Sequence, residues 1–446
     1  MKRIILLVGF ICGLAFSASA QNCNDAYLGT KTLYKALAYK YMPVPTGYKP
    51  VFINHVGRHG ARHLTKDVNT TLAYHLLQQA DSANALSAQG KKLWQMVIAL
   101  QKMEKGSVKY ISAEGKNELK GIGERMYANY SNVFKGKPNI DIAVTKEIRT
   151  KQSADTFLGG LNSKMQDSAA VSFYNDDTDL RFYDLSPAYK DFEGEVAKGT
   201  FKSALKKAEN YTALNHAIAA RFFDGDFLSR LDESTKEKFT DDIFGFLTIV
   251  YSLKYEVAQN GYTPADVDFN QFFTCAELQK LGKLDDADNY LTKGPGTNND
   301  GIQVRIAAPL LADFIKTSDD YIKTGKYNAR LRFAHAETIA PFAAILQIAA
   351  ADKTTTNILD FDQKWQTSKI IELSSNIQWI FYKRKDRPGY LVKVLLNEKE
   401  AYIDGLNKSS FPYYKWSELR ALYVNKLNML HLGLDDDMGA YLGNVK

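Results

Sequence analysis

The chain has 446 residues, 45% hydrophobic and 24% charged, which suits a globular protein of two or three domains or one large domain carrying an insertion. Its formal net charge is +7 and no long basic run occurs, so nucleic-acid binding is not indicated, although an anionic partner is permitted.

In chain order, the first segment is "MKRIILLVGFICGLAFSASA", with basic Lys2 and Arg3, an apolar run and a small-residue exit at Ala18-Ser19-Ala20. This pattern predicts a secretory signal peptide over 1–20, cleaved before Gln21, and a secreted or periplasmic protein with no later membrane span. Removing it takes the basic residues from 57 to 55 against 50 acidic, a net charge of +5, and leaves two cysteines, Cys23 and Cys275. In an oxidising compartment these could pair or stay free, since sequence supplies no distance.

"VFINHV" (51–56) reads as a buried strand and "SAEGKNELKGIGERMYANY" (112–130) as a helix capped by Ser112. "NIDIAV" (139–144) alternates like a strand. "TKQSADTFLGGL" (150–161) reads as a helix closed by Gly159-Gly160, and "AAVSFY" (169–174) as another strand. From 187 to 305 helical periodicity replaces strand patterning. A strand returns in "ARLRFAHA" (329–336), a helix follows, and 374–398 forms a strand pair around "DRPG". The predicted fold is α/β, a mostly parallel sheet flanked by helices over 21–186 and 306–446, with an all-helical insertion at 187–305.

Three basic elements follow strands. Arg58, His59 and Arg62 come after 51–56, Arg149 after 139–144, and His335 after 331–334. Ligands of open α/β sheets bind at the carboxyl ends of parallel strands, so these loops should converge on one crevice suited to a phosphate dianion. Gly57 and Gly60 would let backbone N–H groups approach the same anion. A histidine among arginines stays neutral and nucleophilic, and Glu337 is the nearest acid in sequence able to protonate a leaving oxygen.

These residues carry a resemblance. "RHGAR" (58–62) resembles the R-H-G-x-R motif of the histidine acid phosphatases, and "FAHAET" (333–338) the H-A-E form of the multiple inositol polyphosphate phosphatase branch. The stretches at 112–130, 149–161, 179–184, 290–296, 374–382 and 390–398 are similar to parts of the same branch. The resemblance implies a histidine phosphatase-like fold and a phosphomonoesterase acting on inositol polyphosphates such as phytate. It implies His59 as nucleophile, Arg58, Arg62, Arg149 and His335 as phosphate ligands, and Glu337 as proton donor. Arg181, Lys293, Arg305 and Asn376 fall in matching stretches and are candidate substrate contacts. No metal or other cofactor is implied, and the partner is a small phosphorylated molecule.

Where the family motif continues with proline, this chain reads His63-Leu64, and His63 is expected to face solvent, with a further phosphate ligand as the alternative. Three other readings stay open. They are a broad acid phosphatase on sugar phosphates or other monoesters, a polyanion-binding protein without catalysis, and a mutase.

Overall fold

The structure is a computed structural model that describes Cys23 and residues 25–445. The expected signal peptide lies outside the described residues. Eight strands form one sheet: β1 (Lys49–Arg58), β2 (Asn139–Val144), β3 (Ala170–Asn175), β4 (Ala329–Ala334), β5 (Asn376–Lys383), β6 (Tyr390–Leu396), β7 (Lys399–Glu400) and β8 (Tyr414–Lys415). Their order is β3-β2-β4-β1-β5-β6-β7, with β8 also paired to β6. β3, β2, β4 and β1 run parallel, and β5 onward alternate in direction.

Phe52, Ile53 and Val56 of β1 are fully buried because both faces of the sheet are covered, which explains the unbroken apolar run in the sequence. One face packs under the helices Ala113–Tyr130 and Ile148–Asn162, with Ile53, Ile140, Leu331 and Phe157 in its core. The other face shares one continuous core with the helical region, in which Val56 and Ala143 join Phe239, Ile243 and Leu278.

No strand lies among the described residues between β3 and β4, in accord with the helical periodicity of 187–305. The helical layer also takes in Leu72–Ser82 and Ala88–Glu104, which lie outside that range. Ser87 N–H donates to the Phe222 carbonyl at 3.0 Å, and Leu86 pairs with Phe223.

Gly159-Gly160 does not close its helix, which runs on to Asn162. A side chain at Gly160 would strike the Lys120 carbonyl, and one at Gly123 the Phe157 carbonyl. The glycines bring two helices into backbone contact, and that packing overrides their weak helix propensity.

Cys23 and Cys275 form a disulfide, with Cα atoms 5.4 Å apart and a sequence separation of 252. It fastens the N-terminal segment to the start of the helix Cys275–Thr292 and, by loop-closure entropy, contributes about 5 kcal/mol. Among the described residues no helix is long and apolar enough to cross a membrane.

Candidate active site

β4 lies between β1 and β2, with Arg58 opposite Ala334 and Val144 opposite Phe333, so the three strands end level. Arg58 and His59, the Thr145–Arg149 turn, and His335 therefore leave the sheet side by side at its carboxyl edge.

Arg58 is 3% exposed, and its Nη1 donates to the carbonyls of Thr30 (2.7 Å) and Ile371 (2.5 Å). His59 is 4% exposed, and its Nδ1 stands 2.9 Å from the Gly60 carbonyl. A carbonyl only accepts, so Nδ1 carries the proton and Nε2 of the neutral ring keeps its lone pair. The backbone is pinned around it. His59 N–H donates to Ala334 O at 3.0 Å, and Ser374 N–H donates to His59 O at 3.1 Å.

Buried Glu118 holds the loop from below. It accepts from Ala61 N–H (2.9 Å), the Ser374 hydroxyl (2.7 Å) and Tyr34 N–H (2.8 Å). Burial pushes its carboxyl up to about 7, against the lowering effect of those donors.

The two motif glycines serve packing rather than the anion. A Cβ at Gly60 would come within 2.7 Å of the Gly115 carbonyl, and one at Gly57 would meet the His55 ring. Gly60 N–H donates to Ser153 Oγ at 3.2 Å.

Arg62 Nη1 donates to the His63 carbonyl at 2.7 Å. His63 itself is 6% exposed, so it is not the solvent-facing residue expected. Its Nδ1 is 3.1 Å from Glu104 Oε1 and its Nε2 3.8 Å from Glu256 Oε1. Glu104 also accepts from Leu64 N–H at 2.8 Å, and Glu256 from Ala113 N–H at 2.7 Å. Glu104 fixes the loop by hydrogen bonds, with Glu256 closing over the other ring nitrogen, where the family motif uses a rigid proline ring.

From β2, Arg149 Nη1 pairs with Glu147 at 2.8 Å and its Nη2 donates to His335 Nδ1 at 3.1 Å. His335 Nε2–H then donates to Thr145 Oγ1 at 3.0 Å, because Nδ1 is already an acceptor. The His59 and His335 ring centroids are 5.6 Å apart. The Nε–H groups of Arg58, Arg62 and Arg149 are all buried without an acceptor.

Residues 51–397 match the histidine phosphatase superfamily (branch 2). The chain belongs to that family. It is 21% identical over 405 residues to multiple inositol polyphosphate phosphatase 1 of Gallus gallus, covering 87% of this chain and 84% of the relative. Its fold is similar to that of Bifidobacterium longum multiple inositol polyphosphate phosphatase in complex with inositol hexasulfate. There the TM-score is 0.75 and the identity 20%, over 89% of this chain and 97% of that one. The phytase from D. castellii is also similar, with a TM-score of 0.64 and 14% identity over 95% and 90% of the two chains.

In this histidine phosphatase, burial first and then Arg58, Arg149, His335 and Arg62 hold His59 well below the usual imidazole range. Burial and Arg149 lower His335 to about 3. Burial lowers both Arg58 and Arg62 to about 10; Arg58 and Arg149 add to it at Arg62, whereas Glu337, Glu118 and Glu372 oppose it at Arg58. The sign is favourable to attack. A lowered imidazole keeps its neutral form as pH falls and loses it only near the lowered value. Neither His59 nor His335 is expected to titrate between pH 5 and 8 in the ligand-free protein, as read from their ring-proton NMR shifts. A midpoint near 6.5 for either would contradict the burial argument.

Glu337 lies in the first turn of the helix Ala336–Ile345, and its Oε1 is 3.1 Å from Lys293 Nζ. Burial alone would raise its pKa. Lys293, His335, a backbone hydrogen bond and Arg58 together outweigh that and hold the carboxyl well below the ordinary carboxylate range. Lys293 also donates to Asn289 Oδ1 at 2.8 Å. It therefore stands as the charge partner of Glu337.

The other candidates divide. Arg181 is held by Glu147 (2.8 Å) and Asp184, shares Glu147 with Arg149, and lies over the Tyr183 ring, which packs edge-on against His335. Asn376 is 1% exposed and pairs with Gly57 in the sheet. Its amide is taken up by Gln378, Ser374 and Tyr34, which gives it a structural role. Arg305 ends the short helix Ile302–Arg305, which packs against the helix Ala336–Ile345 that carries Glu337. Its carbonyl accepts from the Tyr441 hydroxyl near the C-terminal helix, and its Nε–H is a buried donor there.

Glu118, Glu104, Glu147, Thr145 and Ser153 were not foreseen. Each acts by orienting a cation, an imidazole or the loop, and no local motif marks such a role. The one sequence signal was a carboxylate on an otherwise apolar helix face, Glu118 beside Leu119 and Ile122.

Proposed function

We propose that this protein is a secreted or periplasmic phosphomonoesterase that hydrolyses inositol polyphosphates, phytate among them, through a phosphohistidine on His59. The observation that carries the reading is the set of three buried arginine Nε–H donors around a neutral imidazole with its Nε2 lone pair free. A phosphoryl group supplies the missing acceptors and the electrophile at once. The inositol polyphosphate class rests on the relatives' names, and the location on the leader pattern and the disulfide.

In the proposed reaction, His59 Nε2 attacks phosphorus in line, and the bond from phosphorus to the inositol oxygen breaks. Arg58, Arg62 and Arg149 spread the charge of the transferring group. As phosphate draws Arg149 away from His335, the imidazole changes tautomer. Nδ1–H then donates to the phosphate, and Nε2 accepts from Thr145 Oγ–H. Glu337 is ionised in the free site, and the incoming polyanion raises its proton affinity. It takes up a proton from solvent and passes it to the leaving alkoxide. In the second half, water attacks the phosphohistidine, Glu337 takes the water proton, and inorganic phosphate leaves.

The purified protein is expected to turn over phytate with a kcat/KM at least about tenfold above that for a sugar monophosphate. The reverse order would replace this reading with a broad acid phosphatase.

A further inference from the structure

The segment Asp25–Lys31 lies along the helix Cys275–Thr292, held there by the Cys23–Cys275 disulfide. Its Thr30 carbonyl anchors Arg58 at 2.7 Å, so the next residue, Lys31, stands beside the RHGAR loop. Lys31 Nζ donates to Thr30 Oγ1 at 3.1 Å. The charges that act on it are Arg62, Arg58 and Lys293, which disfavour its ammonium, and Asp285, which favours it. Burial, with Arg62 adding, lowers its ammonium to about 7.

The neighbouring cations have carboxylate partners. Lys293 has Glu337, Arg149 has Glu147, and Lys202 has Asp288 at 2.7 Å. Among the described residues, Lys31 takes part in no ion pair, and neither do Arg58 and Arg62. Three unpaired cations in one neighbourhood favour an anion larger than the single phosphoryl group that the arginines hold. Lys31 also lines a cavity of about 300 Å³ that is open to solvent. That cavity is also lined by Lys202 and by four carboxylates, Asp285, Asp288, Glu237 and Asp241, so an anion is favoured only where Lys31 meets Arg62, Arg58 and Lys293.

We propose that Lys31 binds a second, non-transferred phosphate of the substrate and so selects polyphosphorylated rings over simple monoesters. The proposal rests on reading the crevice as an inositol polyphosphate site.

The test compares wild type, Lys31→Ala and Lys31→Arg on phytate and on p-nitrophenyl phosphate, together with calorimetric binding of inositol hexasulfate. Lys31→Ala is expected to lose about tenfold in kcat/KM on phytate, carried in KM, at least about fivefold more than on p-nitrophenyl phosphate. Lys31→Arg should recover most of it, and hexasulfate affinity should fall about tenfold in Lys31→Ala alone. Lys31→Met keeps the apolar stem and replaces the alanine variant if that one melts early. Equal losses on the two substrates, or no loss on either, would overturn the proposal. If wild type leaves phytate intact, the function reading fails, and hexasulfate still decides the subsite. Equal affinity in wild type and Lys31→Ala overturns it, and a Lys31-dependent affinity upholds it.

Discussion

His59→Ala is expected to lower kcat on any phosphomonoester by about a thousandfold or more, with KM unchanged or reduced. The asymmetry follows from the geometry. His59 supplies the nucleophilic lone pair, whereas His335 Nδ1 is taken up by Arg149, Arg58 is held by Thr30 and Ile371, and Arg62 by the His63 carbonyl. Those cations remain when the ring is removed, and the space it leaves brings no competing charge. Substrate should still dock and then fail to react. Rapid denaturation in alkali, which preserves a phosphohistidine, should trap labelled phosphate on wild type and none on the variant. Label of equal size on His59→Ala would place the nucleophile elsewhere.

Glu337→Gln should slow phytate hydrolysis by about a hundredfold and p-nitrophenyl phosphate far less. An inositol alkoxide needs a proton as it leaves, while nitrophenolate departs without one. The glutamine keeps the shape of the side chain but removes the charge that Lys293 answers at 3.1 Å. Part of any effect could therefore come through the freed lysine, and the two leaving groups separate the causes. A freed cation would alter both substrates alike, whereas a missing acid tells only on the poor leaving group. Equal slowing would undercut the acid role.

The main strands were legible in the sequence because each is a short apolar run bounded by turn residues. The convergence of the three basic loops was legible too, but only as a consequence of parallel order. It needed β4 to lie between β1 and β2, which no local pattern encodes. Glycine roles were misread for a related reason. Gly60 and Gly160 look like loop and cap residues in isolation, yet each admits a backbone from an element far away in sequence. His63 shows the same limit. Its neighbours in the chain suggest a surface loop, while the carboxylates that bury it come from residues 104 and 256. Arg305 sat in a matching stretch, and its strand-free surroundings offered nothing to place it at the sheet edge or away from it.

The glycine contacts also set how freely the crevice can change. On one side, Gly60 against Gly115, Gly115 against Ala61, Gly123 against Phe157 and Gly160 against Lys120 leave no room for even a methyl group. Substitution there would displace a helix or the nucleophile's loop, so this half is closed to gradual redesign. The opposite half also has such a contact, Gly282 against the Tyr27 backbone, but it presents long side chains, Lys31, Lys202 and Lys293. Those can be exchanged one at a time without moving His59. A mutant library aimed at new phosphate esters would therefore retain folded, active members if its diversity were confined to the lysine side, and lose them if it reached the glycines.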